Sequence, residues 1–75
     1  MAHIYNIKSQ VSGEEIRTIT TCTRKREIES MFNRIMKSFD KDSNYIVERV
    51  RMGYSKVTFY GTFGHIETEY WITRS

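Results

Sequence analysis

Cys22, His3 and His65 are the residues of this 75-residue chain that could supply a nucleophile and its base. Such chemistry needs the two side chains within hydrogen-bond reach and a third group to orient them. Nothing in the spacing of these three draws them together, and no nucleophile elbow or Gly-rich loop accompanies them. Glu67 and Glu69 stand two apart on one predicted strand face, an arrangement that more often solubilises a strand than forms an acid/base pair. Asp40-Lys41-Asp42-Ser43-Asn44 copies the opening of a calcium loop. The pattern then breaks, with Tyr45 where the loop needs glycine and Arg51 where it needs a bidentate glutamate. The reading is a non-enzymatic protein with no metal, no cofactor and no small-molecule substrate.

Cations and aromatics carry more information. Arg24-Lys25-Arg26 stands behind Thr20, Thr21 and Thr23, at the start of a predicted helix. Three positive charges at the positive end of a helix dipole cost roughly tenths of a kcal/mol each. With the free backbone N–H groups of the first turn, they could also hold a phosphate. The plain alternative is a solvated charge run. The net charge of +3 and pI near 9.2 permit a polyanionic partner without requiring one.

The elements that position these residues follow from periodicity. Ile28, Met31, Phe32, Ile35, Met36 and Phe39 recur at i, i+3, i+4, i+7, i+8 and i+11, which predicts one amphipathic helix over 24–39. Thr23 is the expected N-cap, and the polar run 40–44 the expected stop. Residues 3–11 and 16–22 predict a hairpin, with Tyr5, Ile7 and Val11 on one face. The facing of 16–22 is ambiguous, and either a bulge or burial of both faces would resolve it. Residues 45–52, 55–63 and 66–74 predict a three-stranded meander. The fold class is therefore α+β, order ββαβββ, with one antiparallel sheet and the helix packed on its inner face, as a single domain over 1–75.

A register for the meander places the outer-face residues. With Gly64-His65 as the last turn, Val57 faces Ile72 and Phe59 faces Tyr70 on the inner side. With Gly53-Tyr54 as the earlier turn, Val50 meets Val57 inside. Tyr45, Val47, Arg49 and Arg51 then point outward. Glu48 is left inward, opposite Phe59, with no partner. The outer face in this register shows Tyr45, Tyr60 and Trp71 among Arg49, Arg51 and Lys56. Bases stack on flat rings while cations hold phosphates, so this is one physical solution for single-stranded or structured RNA or DNA. The same residue types anchor protein interfaces. The rival reading is thus a protein-binding inhibitor or regulator that self-associates through this face.

Composition narrows the setting. The chain has neither leucine nor proline, so Ile, Val, Met, Phe and Tyr must build a small core. A core of this size favours a homodimer. Size and composition together resemble those of small phage-encoded accessory proteins, on no particular motif. That likeness implies action on a host factor. One cysteine suits a reducing compartment, no apolar run is of membrane-spanning length, and the first ten residues lack the features of a signal peptide. A cytoplasmic location is expected.

Overall fold

The computed structural model describes residues 3–75; Met1 and Ala2, which open the segment compared with a signal peptide, lie outside the described residues. The apolar stripe does form one helix, α1 (Lys25–Asp40), one residue further along than predicted. Ile28, Phe32 and Met36 are buried, and Met31, Ile35 and Phe39 pack beside them. They meet a five-stranded antiparallel sheet made of β1 (Tyr5–Val11), β2 (Ile16–Cys22), β3 (Tyr45–Arg51), β4 (Tyr54–Gly61) and β5 (Gly64–Arg74). The strand order is β2-β1-β5-β4-β3, so β5 is central. The helix carries the chain from one edge strand, β2, across the sheet to the other edge, β3. Ile7 and Val57 complete the core, in which all five apolar side chains are at most 3% exposed.

The helix start departs from expectation. Arg24, not Thr23, is the N-cap residue, and no side chain caps the first turn. The Arg24 N–H points instead to Cys22 Sγ at 3.4 Å, and the thiol donates to Glu27 Oε2 at 3.0 Å. An acid at the cap would satisfy a free N–H and suit the dipole. Arg24→Asp is therefore expected to stabilise the fold by about 1 kcal/mol. Thermal unfolding should shift upward by about 4–8 °C; no shift would mean that the Cys22 thiol already does the work of a cap.

The ambiguous β2 strand is resolved by a bulge. Ile7 pairs with Thr20 and Lys8 with Thr18, which leaves Ile19 as the extra residue. Thr20 and Cys22 therefore face the helix side, whereas Thr18 and Ile16 face away.

Both meander registers differ from the predicted ones. Gly61 pairs with Gly64 around Thr62-Phe63, so Val57 meets Thr68 and Phe59 meets Ile66. Thr62 and Phe63 keep negative φ, and Gly64 supplies the positive φ (132°) that follows them. Each residue of β4 thus meets a partner four positions earlier in β5 than predicted. An even shift leaves every side chain on its predicted face. In the β3–β4 hairpin the shift is odd: Val47, not Val50, pairs with Val57, because the turn is Met52-Gly53 with Gly53 at φ 78°. An odd shift reverses the strand. Tyr45, Val47 and Arg49 face the helix, and Ile46 and Glu48 face outward. Glu48 is no longer stranded; it lies opposite Lys56 on the exposed side. A bulge between Arg49 and Arg51 then returns Arg51 to the outer face, opposite Tyr54.

Candidate functional site

Two surfaces bear the functional groups, one on each side of the molecule. On the outer sheet face, pairing across four strands aligns Lys8, Trp71, Tyr54 and Arg51 in a single row. The Arg51 guanidinium carbon lies 5.5 Å from the centroid of the Tyr54 ring, within cation–π range. The next row is Gln10, Glu69, Lys56 and Glu48, and the one after it holds Glu67, Thr58 and Ile46. Desolvation, and after it the Glu69 carboxylate, pushes the Tyr54 hydroxyl above its ordinary range. Three cations and three acids occupy this face, which is therefore neutral as a whole. Its positive end is the Trp71 row.

Of the six predicted sheet-face residues, Arg51, Lys56, Tyr60 and Trp71 are on the outer face. Tyr60 stands apart from the others, toward the hairpin tip beside His65, with ring centroids 5.9 Å apart. Tyr45 and Arg49 belong to the opposite side, because the odd register shift turned β3 over. The Tyr45 ring packs against Phe39 at 4.9 Å and Phe59 at 5.0 Å, beside Tyr70. Burial, followed by the neighbouring Tyr45, raises the pKa of Tyr70. Arg49 Nη2 donates to Asp40 Oδ2 at 2.7 Å, tying the last turn of the helix to β3. Lys8 and Tyr54 were missed. The alternation of β1 already set Lys8 opposite to Ile7, but nothing local says that β1 lies beside β5.

The second surface is the solvent side of α1. Arg26, Arg34, Lys37 and Lys41 are all exposed. At 100° per residue they fall within an arc of about 80°, centred opposite the Ile28–Phe32–Met36 stripe. Ser30 and Asn33 lie among them, and Arg26, Glu29, Ser30, Asn33, Arg34 and Lys37 line one shallow trough. The line extends about 22 Å along the helix. Arg24, exposed at its start, adds a cation at the same end, whereas Lys25 falls on the sheet side and lines a separate cavity with Tyr54 and Trp71. Among the described residues the one ion pair is Arg49–Asp40, so none of these helix cations is neutralised by a contact. Residues 24–41 hold six basic residues against Glu27, Glu29 and Asp40, an excess equal to the net charge of the whole chain.

Among the described residues neither His3 nor His65 is hydrogen-bonded to Cys22, which engages Glu27. Among the described residues no three His, Cys, Asp or Glu side chains gather as a metal would require. In the calcium-like run, Asp40 binds Arg49, and Asp42 Oδ1 accepts the Asn44 N–H at 2.9 Å, the local bond of an Asx-type turn. No helix among the described residues is long and apolar enough to cross a membrane. Comparison with family models, curated proteins and solved structures finds no match for the chain.

Proposed function

We propose that this protein is a small non-enzymatic module that binds RNA or DNA, with the outer side of α1 as its phosphate-contacting surface. The supporting observation is the line Arg26–Arg34–Lys37–Lys41, four exposed cations that make no ion pair among the described residues, with Glu29 the one acid lining the same trough. Of the Arg24-Lys25-Arg26 run, Arg26 lies on this line and Arg24 adds a cation at the helix start, whereas Lys25 falls on the sheet side of the helix. The sheet behind the helix fixes the backbone that carries the cations, so little backbone order has to be gained on binding. The contact is to the backbone, and it sets affinity rather than base sequence. The sheet-face reading of the same function loses Arg49 to Asp40 and gains Glu48, which weakens it. The free thiol of Cys22 fits a reducing compartment, and we place the module in the cytoplasm.

Fluorescence anisotropy with a labelled 20-nucleotide strand tests this reading. If four phosphates are neutralised, log affinity should fall with log salt at a slope near −3 for a single strand. Arg34→Ala with Lys37→Ala should reduce the slope by about 1.4 and cut low-salt affinity at least about tenfold. Binding that ignores salt, or survives the double substitution unchanged, would remove the helix surface from consideration.

A further inference from the structure

We infer that the outer sheet face is the interface of a homodimer, formed by two copies of this chain packed face to face. Three features favour a second copy over another occupant. The face is electrically self-complementary along the strands. Lys8 and Arg51 mark one end, the other carries Glu48, Glu67 and Glu69 around Lys56, and the total is zero. A two-fold axis running across the strands, between the Trp71 row and the Glu69 row, sets the basic end of each copy on the acidic end of the other. Arg51 then meets Glu48 of the partner subunit. A nucleic acid would find half of this surface repulsive, whereas an identical copy matches both halves.

The centre of the face is also of the right kind and size. Trp71 and Tyr54 sit side by side and half-buried. Ile46 and Ile16 are more than half exposed, with no covering group. Buried aromatics beside arginine are what interface centres are made of. Five strands about 4.8 Å apart, over some seven residues of rise, offer about 500–600 Å² per subunit. That approaches the roughly 800 Å² per partner of a standard interface.

Finally, the alternative route to a sheet dimer is obstructed. Both edge strands carry a bulge, at Ile19 in β2 and Val50 in β3, which interrupts the row of free N–H and C=O groups an edge-to-edge partner would need. Face-to-face packing leaves both basic helices on the outside, open to solvent.

Analytical ultracentrifugation without nucleic acid decides the matter, and so does not depend on whether the helix binds phosphates. The wild-type chain at about 50 µM should sediment as a dimer. Lys8→Glu with Arg51→Glu, and separately Glu48→Lys with Glu69→Lys, should each weaken association by about 100-fold and give monomers. An equimolar mixture of the two variants should recover the dimer mass. A monomeric wild type, a dimer that survives both reversals, or a mixture that stays monomeric would each overturn the assignment. All four positions lie on the open outer face, so circular dichroism should report native folds. Should a variant unfold, Trp71 emission in the wild type replaces it: a red shift on dilution from about 50 µM to 50 nM supports the interface, and constant emission rejects it.

Discussion

Phe32→Ala is expected to leave this protein largely unfolded at 37 °C. The side chain is 3% exposed and lies between Ile28 and Met36 at the middle of the helix stripe, over a sheet that contributes only Ile7 and Val57 as fully buried apolar partners. Removing a buried phenyl ring costs about 3–5 kcal/mol, part for the lost transfer and part for the cavity. A core of this size supplies little more than that in total. Urea unfolding at fixed protein concentration should therefore show the midpoint collapsing toward zero denaturant, with Met36→Leu as a volume-conserving control costing less than about 1.5 kcal/mol. A loss below about 1 kcal/mol would mean that the helix is not seated on the sheet as described. Fixed concentration matters because a dimer adds stability by mass action.

The second large effect is a contrast between neighbours. Val47→Asp should destabilise the fold by about 2–3 kcal/mol, because the carboxylate would enter the half-buried layer under the helix, opposite Val57. Ile46→Asp, on a residue 57% exposed on the other face, should change monomer stability by less than about 0.5 kcal/mol. It should instead weaken the proposed dimer. Chemical denaturation of both variants at low protein concentration separates the two. The reverse order would return β3 to the register in which Val50 meets Val57 and Val47 points outward.

These two experiments fall on opposite sides of what could be read in the chain. Local periodicity suffices for the helix, since Ile28 through Phe39 form a stripe only at 3.6 residues per turn. It also suffices for the element order, the fold class, and the faces of β4 and β5. Those faces were robust to the wrong turn: moving the loop from Gly64-His65 to Thr62-Phe63 changes the pairing by an even number, which cannot turn a strand over.

The face of β3 was not robust, and the functional surfaces followed it. YIVERVR is apolar on both sides, so its own residues do not choose a face. The choice is made by Gly53 at positive φ in the second turn position, the bulge at Val50 and the reach of Arg49 to Asp40. Only the stranded Glu48 signalled the error from sequence. Likewise, the charge excess around the helix was readable residue by residue, but the Lys8–Trp71–Tyr54–Arg51 row was not. It exists because β1 pairs with β5, and Lys8 and Trp71, the pair at its heart, stand far apart near opposite ends of the chain. The sequence alone determined which segments are helix or strand and which helix side is apolar, because those depend on neighbours within a few residues. Tertiary structure decided which cations share a surface, because that depends on register and strand order, and both are set by pairing between distant segments.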